Sequence, residues 1–248
     1  MKISIITATF NAAHTLSDSL RSVGSQTHPC IEHLVIDGAS RDGTQALVNA
    51  HRDTVSVFVS EPDKGIYDAL NKGLTLATGD VLGFLHADDV FANTSVLAIV
   101  AQAFNDPAVE AVYGDLNYVD KNDLGRVIRY WRAGAPQPGQ WKRGWMPPHP
   151  TFFARRSVYQ RLGLFDTRYR IAADYDCLVR FLHVAAVRTV YIPRVLVCMR
   201  VGGASNRSLR NLLNKSMEDL DIIRRHGLGG AWALLSKNLS KLPQYWLR

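Results

Sequence analysis

Short apolar runs alternate with amphipathic stretches of helical period through the first hundred residues of this chain. Residues 3–8, 32–37, 55–60 and 81–86 read as strands, and residues 13–25, 41–51, 65–77 and 95–105 as helices. Strand and helix taking turns across short connections predict an α/β fold with a parallel, doubly wound sheet flanked by helices. The run 81–85 is apolar throughout, as strands in the middle of such a sheet are. Beyond residue 110 the alternation gives way to shorter strands, such as 111–113, and loops. Residues 132–150, rich in Pro, Gly and Trp, read as a surface loop or a mobile lid. Residues 175–185 have helical period, and a helix-rich segment begins near Leu209.

The length, 248 residues, fits one elaborated α/β domain with a C-terminal appendage, and 47% hydrophobic residues are ample for one core. Cys30, Cys177 and Cys198 are odd in number and lack CxxC spacing. That argues against a disulfide framework or a zinc site and for a reducing, cytoplasmic compartment. Met1 to Ile6 enter a strand at once, unlike a signal peptide, and no apolar stretch is long enough to span a bilayer. A net charge of +7 suits nucleic acid, an anionic membrane surface or a phosphorylated small molecule. The basic residues are dispersed, with no RNA-binding signature or zinc-finger spacing, so nucleic acid is set aside. From residue 207 onward eight Lys or Arg stand against three acidic residues. Leu228, Trp232, Leu235, Leu239, Leu242 and Trp246 recur there at helical spacing, with Lys237 and Lys241 off the stripe. Such a face packs on the parent domain or lies peripherally on the inner face of a membrane; packing is the commoner fate.

The most informative chemistry follows the fourth strand, where the chain runs directly into Asp88 and Asp89. In open α/β sheets ligands bind at the carboxyl ends of strands. Two adjacent carboxylates repel unless a cation or donors hold them, and Mg²⁺ takes one or two carboxylates beside substrate phosphates. The pair therefore points to a metal–diphosphate site; the alternative is a solvated turn capping a helix near Asn93. No GxGxxG follows an early strand, the stretch Gly38 to Thr44 lacks a P-loop lysine, and no GxSxG elbow is present.

Several stretches together resemble a family 2 glycosyltransferase of the GT-A fold. They are Ile6-Thr7-Ala8-Thr9-Phe10-Asn11, Val35-Ile36-Asp37-Gly38-Ala39-Ser40-Arg41-Asp42-Gly43-Thr44, and Asp63-Lys64-Gly65-Ile66-Tyr67-Asp68. His86-Ala87-Asp88-Asp89, Ala173-Asp174-Tyr175-Asp176 and Arg200-Val201-Gly202-Gly203-Ala204-Ser205 complete the set, in family order. The resemblance implies a GT-A catalytic domain over 1–206, with 207–248 as a basic helical extension. It implies transfer of a sugar, with inversion, from a nucleoside diphosphate sugar to a saccharide or lipid-linked acceptor. A UDP-sugar ranks ahead of a GDP- or dTDP-sugar, and bacterial surface polysaccharide is the usual product. Ala8, Thr9, Asn11, Asp37, Asp63 and Asp88 would line the nucleotide. Asp89, with Asp88, would hold Mg²⁺ or Mn²⁺, which neutralises the leaving diphosphate. Gly38 stands where many members carry a second acidic residue that pairs with uracil. His86 replaces an Asp, and Ala173 a Glu.

Asp174 matches the family's catalytic carboxylate and would accept the acceptor's proton; its other reading is the N-cap of the helix that follows. A helix N-terminus would also make it a weaker base. Asp176 pairs with Arg180 four residues on. His149 resembles an acceptor-side position, or is a packed loop residue. Arg200 reaches the diphosphate, or is an arginine at a strand end. Trp131, Trp141 and Trp145 stack on acceptor sugars, or pin the loop. The other function classes are a non-catalytic sugar-nucleotide or membrane-binding module and a sugar-1-phosphate nucleotidyltransferase. The latter lacks its Gly-rich basic loop after the first strand, and the intact Asp88, Asp89 and Asp174 speak against the former.

Overall fold

A computed structural model describes residues 1–202 and 209–239. Four parallel strands, β1 (Ile3–Thr9), β2 (Ile31–Asp37), β3 (Val57–Ser60) and β4 (Val81–Phe84), lie in the order β3-β2-β1-β4. Helices α1 (Leu16–Gly24), α2 (Thr44–Ala50) and α3 (Ile66–Leu76) make the three crossovers, as the alternation predicts. Neighbours on β1 face opposite ways. Ile6 packs with Leu34, Leu70 and Phe84, whereas Ile3 and Ile5 pack with Val81, Leu97 and Val100. α3 lies so close to the sheet that a Cβ at Gly73 would overlap Ile6. That contact fixes the height at which Tyr67, in the helix's first turn, projects past the strand ends. At the opposite edge, buried Glu32 accepts Lys2 Nζ (2.5 Å), Ser4 Oγ (2.5 Å) and the Thr78 N–H (2.8 Å), tying β1, β2 and the entry to β4 together.

The second half departs from the expectation of short strands. β6 (Ala111–Val119) and β9 (Thr189–Arg200) are the longest in the sheet and pair in parallel. The sheet continues β4-β8-β6-β9-β5, where β5 is Val90–Phe91 and β8 is Phe153–Arg155, and β7 (Val127–Trp131) flanks β6. β5, β7 and β8 run antiparallel to their partners, while β1 to β4 are parallel to one another, so the sheet is mostly parallel as expected. β9 is hard to read in the sequence because its register jumps from Ile192 opposite Gly114 to Val195 opposite Asp115. Pro193 and Arg194 sit in that bulge and break the period-two pattern. α4 (Val96–Ala103) and α5 (Arg156–Leu162) complete the body.

Residues 132–150 are not a lid in this structure. Trp141 meets Trp145 edge-on, Trp145 Nε1 donates to the Ala133 carbonyl (2.9 Å), and Trp131 stacks on Tyr118. The tryptophans pin the loop. The helix expected over 175–185 forms as α6 (Ala173–Leu178), followed by a wider π turn through Val184.

The C-terminal helices are α7 (Leu209–Arg225) and α8 (Ala231–Leu239). Ile222, Ile223, Leu228 and Ala233 join the same cluster as Ile6 and Phe84, so the segment packs on the body. It does not pack by the expected stripe. Leu228 is buried, but Trp232 is 77% exposed and Leu235 48%. The positive φ of Gly227 and Gly229 breaks the helix between Leu228 and Trp232, so the two do not share one helical face. Lys237, expected to face out, is instead buried, with Nζ 2.7 Å from Asp219 and 3.2 Å above the Tyr175 ring. The stripe positions Leu242 and Trp246, with Lys241, lie outside the described residues, as do the loop residues Gly203 to Ser205.

Candidate active site

Parallel register sets Thr9, Asp37 and Ser60 in one row at the carboxyl edge of β1, β2 and β3. Asp37 is fully buried. Its carboxylate accepts the Ser40 N–H (3.0 Å), the Ser40 hydroxyl and the Ser60 hydroxyl (2.6 Å). These bonds make Asp37 the head of an Asx-turn that shapes the loop 38–44. Ala39 (φ 61°) and Asn11 (φ 48°) are held in the left-handed region on either side of the crevice. Asn11 is locked there, its N–H donating to Ser40 Oγ (2.7 Å) and its Oδ1 accepting the Arg41 N–H (2.9 Å). Ala8 and Thr9 are buried beneath, and Thr9 Oγ1 has no hydrogen-bond partner.

Phe10, Asn11, Gly38, Ala39, Arg41 and Pro62 line a cavity of about 400 Å³ above this edge. Phe10 is 64% exposed there, a large aromatic ring left in solvent beside the crevice. Sequence reasoning passed over it, although an aromatic directly after a strand end is a usable signal. Gly38 explains the missing acidic residue, because a Cβ would lie 2.6 Å from Asp63 Oδ2 and 3.2 Å from Phe10. Asp63, whose Oδ1 accepts the Gly65 N–H (2.8 Å), occupies that space.

β4 delivers Asp88 and Asp89 to the same edge. Asp89 is 1% exposed; Oδ1 accepts the Arg200 N–H (3.3 Å) and Oδ2 has no partner. Burial, and then the charge of Asp88, push its carboxyl well above the usual range, with Arg200 pulling it back. The sequence left Arg200 either at the diphosphate or at a strand end; it is 7% exposed, donating from Nη1 to the Asp88 carbonyl (2.8 Å), from Nε to the Lys121 carbonyl (3.2 Å) and from Nη2 to Asp18 Oδ2 (2.6 Å). Its guanidinium braces the Asp88–Asp89 turn from below and is not free for substrate.

Asp174 is no cap. The N-cap of α6 is Ala172, without a side-chain bond, and Asp174 points across the domain. Its Oδ1 lies 3.0 Å from the Tyr67 hydroxyl, which also reaches the Ile171 carbonyl at 2.8 Å, and its Oδ2 accepts His149 Nδ1 at 2.9 Å. Burial by itself would raise this carboxyl. The charge and hydrogen bond of His149, then Lys215 and Tyr67, hold it below the usual range. His149 stands in turn 5.7 Å from the ring of His86, at the mouth of β4. Burial, and next the charge of His149, push His86 down to about 4, while Asp88 and Asp174 act in the opposite sense. Asp88, His86, His149 and Asp174 thus form one electrostatic group. Asp176 faces away, pairing with Arg180 Nε (2.8 Å) as its spacing predicts, and with His226 (2.9 Å). Glu218 of α7 fixes the approach to α6 by accepting the N–H groups of Arg170, Ile171 and Ala172.

The family model described as Glycosyl transferase family 2 matches residues 4–164. A PGL/p-HBAD biosynthesis glycosyltransferase of Mycobacterium bovis is 32% identical over 216 residues, covering 82% of this chain and 78% of that protein. S. aureus TarS 1-349 in complex with UDP superposes with a TM-score of 0.66 at 19% identity, over 96% of this chain and 69% of that one. Against a longer TarS chain, this chain spans 43% of the length. A mannosyltransferase from Pyrobaculum calidifontis in complex with GDP-Man and Mn²⁺ gives 0.67 at 20% identity, over 96% and 73%. These solved structures share the GT-A arrangement of a curled sheet flanked by helices. Family match, relative and fold agree: the chain belongs to glycosyl transferase family 2 and is a glycosyltransferase.

Proposed function

We propose that this protein transfers a sugar from a nucleoside diphosphate donor to a hydroxyl of a saccharide or lipid-linked acceptor, with inversion, in the assembly of a surface polysaccharide or glycolipid. The observation that carries this is the convergence on one sheet edge of an open nucleotide-sized cavity, a two-carboxylate turn and the His149–Asp174 pair. The bound UDP and GDP-Man of the two solved neighbours, and the PGL/p-HBAD biosynthesis in the mycobacterial relative's name, support the same reading. Phe10 and Asn11 would hold the base and ribose with Asp63, and loop 38–41 would close the nucleotide end. Residues 1–206 would be the catalytic body and 207–248 an extension, whose α7 braces the approach to α6 through Glu218.

The donor set fits Mg²⁺ or Mn²⁺. Asp89 Oδ2 is a buried oxygen without a partner, and Asp88 stands beside it. Among the described residues no cluster of three or more His, Cys, Asp or Glu gathers to hold a metal unaided. The remaining ligands would therefore come from the diphosphate and water. A divalent ion held by Asp88 and Asp89 supplies the charge that a departing diphosphate needs.

The first test is a thermal-shift panel of UDP, GDP, CMP and dTDP, each with and without Mn²⁺. A ligand that binds only the folded state at about 100 times its Kd stabilises it by about 2.7 kcal/mol. One nucleotide should raise the melting temperature by several degrees, and only with the ion present. A flat panel would remove the transferase reading of this crevice.

No helix among the described residues is long and apolar enough to cross a membrane. α7 and α8 nevertheless leave Leu213, Met217 and Trp232 in solvent, on a segment with a basic excess. We propose that this face rests on an anionic lipid surface, where a lipid-linked acceptor would be met. Trp232→Glu should lower co-sedimentation with phosphatidylglycerol-containing vesicles by about tenfold, since one buried aromatic carries much of such binding. Equal sedimentation of both proteins would rule the surface out.

A further inference from the structure

We propose that Glu218 of α7 is a positioning residue for sugar transfer: it fixes residue 171, and through the Ile171 carbonyl and the Tyr67 hydroxyl it aims the carboxylate of Asp174. The proposal rests on the glycosyl-transfer reading of the crevice and adds to it a residue from the C-terminal extension.

α6 begins without a cap of its own, because its N-cap, Ala172, has no side-chain oxygen to offer. A carboxylate 46 positions later takes that place. Glu218 Oε1 accepts the Arg170 N–H (3.0 Å), and Oε2 accepts the N–H groups of Ile171 (2.9 Å) and Ala172 (2.8 Å). Three successive N–H groups closing on one anion form a nest, and each bond is strengthened by the charge. Residue 171 is thereby gripped on both sides. Its N–H meets Glu218, and its carbonyl accepts the Tyr67 hydroxyl at 2.8 Å. The same hydroxyl lies 3.0 Å from Asp174 Oδ1. A phenol has one proton for these two acceptors, so the position of the Ile171 carbonyl decides how much of it Asp174 receives. Burial, then Asp174 and more weakly Glu218, push the Tyr67 phenol well above its usual range, which keeps that proton in place. Tyr67 itself rides on α3, seated on β1 by the close approach of Gly73 to Ile6. Asp174 is thus aimed between a helix fixed to the sheet and an anion on the extension.

The neighbouring contacts of α7 set Glu218 apart from ordinary packing. Glu218, Asp221 and Arg225 share one helical face. Asp221 accepts the Tyr169 hydroxyl (2.6 Å) and Arg225 reaches Asp166 (3.2 Å), so both hold the outer part of the loop by its side chains. Glu218 holds backbone, two to four residues from Asp174. Displacing a reacting group by about 1 Å can cost on the order of 10²-fold in rate, and the Glu218 nest is what restrains such a displacement.

Amide exchange and kinetics on the full chain test this. In the ligand-free protein the Ile171 and Ala172 amides should be protected. Glu218→Gln keeps the size of the side chain but turns an NH2 on the loop, and should speed their exchange about tenfold or more. Free exchange of both amides in the wild type would overturn the proposal whatever the donor. Release of nucleoside diphosphate is then followed for a panel of UDP-, GDP- and dTDP-sugars, with Mg²⁺ and with water as acceptor. In Glu218→Gln kcat should fall about 10- to 10²-fold while the donor KM stays unchanged. Tyr169→Phe, which loosens the same loop at its outer end, should leave kcat as it is. In a Tyr67→Phe background Glu218→Gln should cost only about threefold or less, because both substitutions act through one hydroxyl. An unimpaired Glu218→Gln, a rise in KM alone, additive losses in the double variant or an equal loss in Tyr169→Phe would each overturn the role of Glu218 and leave the transferase reading standing. A wild type that releases no diphosphate from any donor overturns the reading of the crevice, and this role with it.

Discussion

Asp174→Asn is expected to lower turnover about 10³-fold while leaving nucleotide affinity unchanged. The substitution keeps the size of the side chain, and the remaining carbonyl oxygen can still accept the Tyr67 hydroxyl. What changes is the atom facing His149. An amide has no basic oxygen to take the acceptor's proton, and its nitrogen donates where Oδ2 accepted from His149. The negative charge of the carboxylate is lost as well. The cavity proposed for the nucleotide is lined by Phe10, Asn11, Gly38, Ala39, Arg41 and Pro62 and does not include Asp174, so binding should survive. The carboxyl also contributes to folding. Its folded pKa is depressed, so the ionised form contributes stability that is present above the unfolded value of 3.8 and is lost as pH falls through the folded value. The variant should accordingly be less sensitive to acid than the wild type below about pH 4. Initial rates of nucleoside diphosphate release, set beside a nucleotide thermal shift, check both halves. Turnover within tenfold of wild type would place the proton acceptor elsewhere.

The β1 to β4 half and the Asp88–Asp89 turn could be read from residue order because each depends on local signals. Apolar runs of strand length, helical period between them and a carboxylate pair directly after a strand need no partner from far along the chain. What the sequence left open depends on contacts it does not display. Arg200 had two readings, and its guanidinium is held by Asp18, which lies 182 positions earlier. Asp37 is bonded by Ser60 across the β2–β3 pairing as well as within its own turn. Lys237 sits off the apolar stripe, and only the acidic face of α7 gives it a reason to be buried. β9 was hidden by its bulge. Asp174 stands out in the sequence but its partner does not: nothing in a lone histidine among prolines says that it will meet an aspartate from another element. Specificity is similarly divided. Gly38 could be noticed as a departure, but its consequence, that Asp63 and Phe10 fill the vacated space, belongs to the packing.

Asp89→Asn should separate stability from function in opposite directions. In the ligand-free protein Asp89 is an almost fully buried carboxylate with one bare oxygen and a second acidic side chain as its neighbour. A buried ion without a partner costs several kcal/mol even after relaxation, and the single N–H of Arg200 at 3.3 Å is a weak compensation. The amide removes the charge and keeps the shape. It brings an unsatisfied amide NH2 of its own, worth about 1–3 kcal/mol, which is smaller than the penalty it replaces. The ligand-free variant should therefore melt no lower than wild type, and by this balance a few degrees higher. Function should move the other way. The amide has no negative charge for a divalent ion, so the ion-dependent part of the nucleotide shift should vanish, and turnover should fall about 10²- to 10³-fold through loss of leaving-group stabilisation. Such a pattern is expected where strain is kept in a site because the ligand relieves it. A lower melting temperature with the ion dependence intact would instead make Asp89 a structural partner of Arg200 and leave Asp88 to hold the metal. Arg200 supplies the contrast. Its guanidinium makes three hydrogen bonds beneath the same turn, so Arg200→Met would strip support from Asp88 and leave Asp18 with Arg21 alone. That substitution lowers stability and metal dependence together, whereas Asp89→Asn lowers only the second, because one residue builds the turn and the other carries its charge.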